Sequence, residues 1–492
     1  MPTPSRRREE LGSSTTGRRS FLAGALALVV VGATVRGGGS LAELSASSVA
    51  TAGLVPSAGS ALPGSGPVVA SSSHPTVAAA LASTPAGGTL VVDRSESVAA
   101  SLVIDRPTTV VFRSPATLTS TVDVTVFDVR SSDVRIVDAD LRGTGALHAG
   151  AGRGIVVTGT AASPLERVSI EGARLSSFSR TAVLVTNVSG LEVVGCTITD
   201  VGYAGVLLVS CADSVVRGCT VSDVHQPAGF VNSYGIAVTR DEARSLRDSP
   251  RSVRVTVEDN TVRGVPRWEG IDTHAGESIL IRRNHVTGCR VGIAIVPAGG
   301  SATPKEYVFA PRDVVVTGNH VERGTALHVG AGIVVRGAGS TVGSSAERAT
   351  AVVEGNLVVS MGGGDNDGGI VLYLTRGVVV RGNTLRDCVR RGVALYHSND
   401  AALVAENVVD GLAALDAGEG PRAAFQVLSA ANTATFVANA YRTTATSGPA
   451  PVSGLAVAGA DNSLTLVRND WSATTRPVSG RASSVTRFAD GP

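Results

Sequence analysis

Lysine is all but missing: Lys305 is the only one in 492 residues, and the other basic side chains are arginine. With 43 Lys and Arg against 41 Asp and Glu the formal charge is +2, which argues neither for a nucleic-acid partner nor for a strongly acidic surface. Arginine pairs bidentately with carboxylates, the group that an acidic polysaccharide presents. Aromatic residues make up only 3 % of the chain, as suits thin aliphatic stacks. Five cysteines, Cys196, Cys211, Cys219, Cys289 and Cys388, show no CxxC or Cys/His metal spacing. They are expected to be buried small apolar residues, with a Cys196–Cys219 disulfide as the alternative. No G-x-S-x-G elbow or HExxH helix is present, and no glycine cluster opens a helix, which removes the phosphate-binding loop.

What the chain has in quantity is glycine, 58 residues, and a repeat. An Asn-x-apolar ending recurs at Asn260, Asn284, Asn319, Asn356, Asn383, Asn407, Asn439 and Asn469. Earlier units keep the frame with Ala139, Ala173, Cys196 and Cys219, and the steps run from 23 to 41 residues. A second motif repeats in phase, as Gly205-Val206, Gly235-Ile236, Gly270-Ile271, Gly292-Ile293, Gly332-Ile333 and Gly369-Ile370. Short β-rich segments between Gly and Asn turns, with almost no helical periodicity, indicate a parallel solenoid whose coils stack about 4.8 Å apart. Stacked asparagines then satisfy turn backbone groups along a ladder, so this Asn is structural.

On these repeats the chain, over roughly residues 75 to 475, resembles the right-handed parallel β-helix proteins of the pectate-lyase-like superfamily. The resemblance implies an all-β, single-stranded right-handed parallel β-helix of about 11–12 coils. The stretch T-V-A-A-A-L-A-S before Thr84, with Val77, Ala80 and Leu81 on one face, is expected to form a short helix capping its N-terminal edge. Arg18-Arg19-Ser20-Phe21-Leu22 resembles a twin-arginine export signal, and the apolar run to Val35 is short for a membrane span. The expected organisation is a signal segment over 1–52 cleaved after Ala33 or Ala52, a flexible linker over 53–73, the β-helix over 74–475 and a tail over 476–492. The mature protein is expected to be secreted or on the cell surface, with no membrane span.

One coil departs from the pattern. Aligned on the glycine, the column of Asp272 otherwise holds Leu207, Ala237, Ala294, Val334, Val371 and Ala394. The sequence Gly270-Ile271-Asp272-Thr273-His274 is similar to the Gly-x-Asp-Pro-His motif of the mannuronan epimerases, with Thr273 replacing Pro. That resemblance implies that Asp272 and His274 act on a uronate, with a phenol from Tyr234 and a cation from Lys305 as candidates for the family's remaining groups. From the residues themselves, His274 is the candidate base, Asp272 its orienting partner, and Arg240 or Arg336 the cation that neutralises a substrate carboxylate. Glycoside hydrolysis by Glu269 and Asp272 is the rival, set second because strand alternation points residues three apart to opposite faces unless Gly270 bends the chain. Tyr373 and Tyr396, in one column, are candidates for a sugar-stacking platform or an ordinary aromatic ladder. Asp365 and Asp367, in a glycine-rich loop, are candidate Ca²⁺ ligands, although a plain turn is the simpler expectation. The long segments 224–233, 240–252, 297–312 and 337–349 flank the same coil and are expected to wall a groove for a polysaccharide. A solenoid that only binds carbohydrate, or is purely structural, is the alternative outside enzymology.

Overall fold

A computed structural model describes residues 66–227, 229–299, 307–324, 329–339, 347–414, 422–444 and 451–488. The signal segment with its arginine pair, and Lys305, lie outside the described residues.

Three long parallel sheets of sixteen, fourteen and thirteen strands run the length of the described chain, each coil giving one short strand to each sheet. Thr256–Glu258, Thr261–Arg263 and Glu269–His274 are one such coil, and Leu280–Arg282 starts the next on top of Thr256–Glu258. The stack is deeper than 11–12 coils, since each of the three sheets holds at least thirteen strands. Val68–Ala70 already pairs with Thr89–Val91, so ordered structure begins inside the stretch expected to be linker. At the other end Arg476–Gly480 and Val485–Phe488 extend two sheets past residue 475. The capping helix, Val77–Ser83, is as expected: Thr76 Oγ1 accepts the Ala79 N–H at 3.0 Å, and Val77, Ala80 and Leu81 are buried.

The turn between the first two strands of a coil explains the repeat. The residue before each marker sits in the left-handed region, as Gly195, Gly218, Asp259, Arg283, Gly318, Gly355 and Gly382 do, which turns the chain in a single step. The marker that follows points inward. Asn284 donates from Nδ2 to Asn319 Oδ1 at 2.9 Å and from its backbone N–H to the same oxygen at 3.0 Å, and Asn319 repeats this onto Asn356. Each also donates to a carbonyl of a neighbouring coil, as Asn319 Nδ2 does to Ile281 O at 3.0 Å. A second ladder, Asn399–Asn432–Asn462, closes another turn in the later coils. Inside, single residues stack in files such as Ile236, Ile271, Ile293, Ile333 and Ile370, all with no exposure. Each fully buried side chain of this kind contributes about 1.5–3 kcal/mol. All five cysteines are buried free thiols.

Candidate functional site

The site lies on the outer face of the fourteen-stranded sheet, at the strand Glu269–His274. Its chemistry depends on Gly270. A Cβ built there would stand 2.4 Å from Val286 Cγ1 and 3.0 Å from Cys289 Sγ, so position 270 faces the core. Ile271, next along, is buried in the same core. Two inward positions in succession break the alternation, and Glu269 and Asp272, three apart, therefore share the outer face with His274. The same break is present in the neighbouring coils, where Gly235 and Gly292 lie against Val262 and Val321. The expectation that Glu269 and Asp272 diverge is thus corrected: one ligand atom from each of Glu269, Asp272 and His274 lies within 4.8 Å of the others.

Asp272 is fully buried and its Oδ2 stands 3.0 Å from His274 Nε2. On the other edge of the ring, Nδ1 is 3.3 Å from Oε1 of Glu242, a residue of the preceding loop. Both are close ion contacts without hydrogen-bond alignment: neither Asp272 oxygen, neither His274 nitrogen, nor Glu269 Oε2 has an aligned hydrogen-bond partner. Buried polar atoms left in this way are costly unless a ligand satisfies them. Burial, and then the negative charge of Asp272, push the Glu269 carboxyl up to about 8. Burial also raises Asp272, while His274 opposes that shift. For His274 burial pulls downward, but the Asp272 carboxylate outweighs it and holds the imidazolium up to about 9. Near neutral pH Glu269 is therefore held on the protonated side and His274 on the charged side. That shift favours the imidazolium over the near-neutral base expected of His274.

A groove of about 1020 Å³ opens over these groups. Three of the six tyrosines and one of the two tryptophans line it: Tyr203, Tyr234, Tyr307 and Trp268. Tyr203 and Tyr234 meet edge to face at 5.6 Å, and Tyr234 meets the His274 ring the same way at 6.1 Å. The Tyr234 phenol accepts a hydrogen bond from Asn232 Nδ2, and burial, followed by Asp272, raises its pKa far above the ordinary value. A smaller depression at Asp128 and Arg130 continues the groove along the sheet, sharing Arg153, Thr158 and Leu184 with it.

The other expected residues divide. Arg240 sits at the groove wall, but its guanidinium donates to the carbonyls of Ser249, Gly299 and Arg244 and lies over Phe309 at 5.0 Å. Only 2 % exposed, it clasps the two walls together and is not presented to a substrate. Arg336 lines the groove, its guanidinium between the rings of Tyr307 at 5.3 Å and Tyr373 at 5.1 Å. Tyr396 stacks on Tyr373 at 5.1 Å, which extends that aromatic file one coil further. Asp365 is highly exposed and pairs with Arg390 at 3.3 Å, and neither it nor Asp367 belongs to a potential metal cluster among the described residues. Glu269, Asp272 and His274 could themselves hold a cation, which would strip the proton from Glu269. Glu242 was not foreseen. Its loop is conspicuous in the sequence, but nothing there marks which of its carboxylates folds back onto the histidine.

A family model described as the right-handed β-helix region matches residues 129–309. The catalytic unit of the thermostable GH87 α-1,3-glucanase from Streptomyces thermodiastaticus strain HF3-3 is similar over 88 % of this chain and 72 % of its own, at 17 % identity and a TM-score of 0.50. DFA-IIIase from Arthrobacter chlorophenolicus A6 covers 82 % and 88 %, at 11 % identity and 0.43. PfbA, a surface adhesin of Streptococcus pneumoniae, covers 80 % and 86 %, at 11 % identity and 0.42. No curated protein matches the sequence. The chain is a right-handed parallel β-helix protein, and at these identities the likeness is one of fold.

Proposed function

We propose that this protein is an exported enzyme that acts on a polysaccharide laid along the groove, with Glu269 as proton donor and the Asp272–His274 pair beneath it. The observation that carries this reading is the convergence of Glu269 and Asp272 on one outer face, with the Glu269 carboxyl held up to about 8. A carboxylic acid kept protonated near neutral pH, beside a second carboxyl group on the same face, is the arrangement that protonates a glycosidic oxygen. The aromatic lining gives sugar rings flat faces on which to stack.

In hydrolysis, Glu269 gives its proton to the leaving oxygen as the bond to the anomeric carbon breaks. The imidazolium stabilises the carboxylate left behind, and Glu242 is the group suited to take the proton of the attacking water. A second reading, elimination or epimerisation on a uronate, is supported by Arg336. Its guanidinium is held between two tyrosines, has no carboxylate partner among the described residues, and matches a substrate carboxylate bidentately.

The test incubates the full chain with neutral glucans and with alginate, pectin and glycosaminoglycans, in D₂O and in ¹⁸O-labelled water. Hydrolysis places ¹⁸O at new ends, elimination creates unsaturated ends, and epimerisation takes up deuterium; each is expected to disappear in Glu269→Gln. No reaction on any of these polymers, or activity that survives Glu269→Gln, overturns the proposal.

A further inference from the structure

Away from the groove, the outer face of the thirteen-stranded sheet carries a second cluster that takes no part in the chemistry above. His285 and His320 sit directly opposite each other on adjacent coils, as do Thr287 and Glu322. The two imidazoles stack at 4.7 Å with their planes 9° apart. Glu322 Oε2 lies 3.7 Å from His320 Nε2, and Thr287 Oγ1 lies 3.0 Å from His285 Nε2. His320 Nε2 is shielded from solvent and has no hydrogen-bond partner. One ligand atom from each of His285, His320 and Glu322 falls within 4.8 Å of the others.

We propose that His285, His320 and Glu322 form a binding site for one divalent transition-metal ion of the zinc class. Two imidazoles and a carboxylate are a nitrogen-rich donor set. Calcium and magnesium prefer oxygen alone, and copper(I) prefers the sulfur ligands that this cluster lacks. Imidazole ligates when neutral, and the two rings face each other across adjacent coils. Glu322 supplies the negative charge. Arg263, opposite Thr287 on the preceding coil, is the opposing charge nearby and makes the site weaker than a closed structural one. Three protein ligands leave a coordination position for water or a further ligand. Within the next coil Leu357 stands in the column of His320 and gives the site an apolar neighbour.

The experiment titrates the chelator-treated full chain with Co²⁺, followed by visible absorption, and with Zn²⁺ by calorimetry. His320→Leu is the deciding variant, because the column already holds leucine one coil on and the fold tolerates it there. An equivalent with the spectrum of ligation by two nitrogens is expected to bind, and its affinity to fall at least about 10-fold in His320→Leu. Asp272→Asn, which alters the other three-residue cluster, is expected to leave this binding unchanged. Absence of binding, an unchanged affinity in His320→Leu, or a loss in Asp272→Asn overturns the proposal. None of these readouts depends on catalytic activity.

Discussion

Replacing Asp272 by asparagine keeps the shape of the buried side chain and removes the charge that holds His274 protonated. Two opposed effects act on that histidine. Burial pulls its pKa below the ordinary value, and the carboxylate 3.0 Å away raises it to about 9. With the charge gone, burial, the largest influence, is opposed by the weaker ones of Glu269 and Glu242, and His274 is expected to titrate below about 6.5. A fall of that size from about 9 is worth at least about 3 kcal/mol at about 1.4 kcal/mol per pH unit. At pH 7 the variant therefore carries a neutral imidazole where the wild-type protein carries a cation. The assay is an NMR titration of histidine-labelled protein, with the resonance of His274 among eight histidines identified by its loss in His274→Gln. Glu242→Gln, titrated alongside, isolates the weaker contact at 3.3 Å and is expected to move the curve less. A wild-type midpoint near 6.5, or a curve that Asp272→Asn leaves in place, refutes the electrostatic account of the site.

Glu269→Gln is expected to lower turnover by about 10²–10⁴-fold and to abolish the fall in activity as pH rises through about 8, read from a pH–rate profile. Glu269 and His274 both bind protons more tightly when folded. The stability they give is full on the acid side and is lost as pH rises, from the ordinary carboxylate range to about 8 for Glu269 and from about 6.5 to about 9 for His274. Thermal melts from pH 6 to pH 9 are thus expected to fall more steeply for the wild type than for a Glu269→Gln, His274→Gln double variant. Asn319→Ala strands the Asn284 amide groups and the Ile281 carbonyl in a buried turn, and is expected to cost about 3–5 kcal/mol, measured as faster amide exchange in the flanking coils.

Much of the scaffold is legible in the sequence because its structural elements repeat. Asn284, Asn319 and Asn356 occupy equivalent turns, so one physical need is written many times. The Asn399–Asn432–Asn462 ladder escapes notice because it has only three members and the loops between them differ in length. The odd coil is visible too, since an aspartate interrupts a column of alanines and valines. What Glu269 does is not visible: alternation places it away from Asp272, and only the inward set of Gly270 against Val286 reverses that. A glycine in a strand reports that something comes close and leaves open what the flanking residues gain. Arg240 misleads in the opposite way. A lone arginine beside a candidate site suggests a substrate contact, while three backbone carbonyls that no pattern announces take up its guanidinium. Glu242 depends on the path of a loop, which spacing does not determine.

The glycine that brings Glu269 and Asp272 together recurs in most coils of the sheet, and this separates the position of the chemistry from the making of the fold. Every coil with that glycine offers two outward positions, three residues apart, on the floor of one continuous trough: Tyr234 and Ala237, Glu269 and Asp272, Val291 and Ala294. The core beneath does not register which pair is ionisable. The reactive centre therefore has an address along the axis, about 4.8 Å per coil. Moving the carboxyl pair requires two outward substitutions and leaves the core beneath unchanged, so in a lineage of such chains the point of attack can shift along a bound polymer coil by coil.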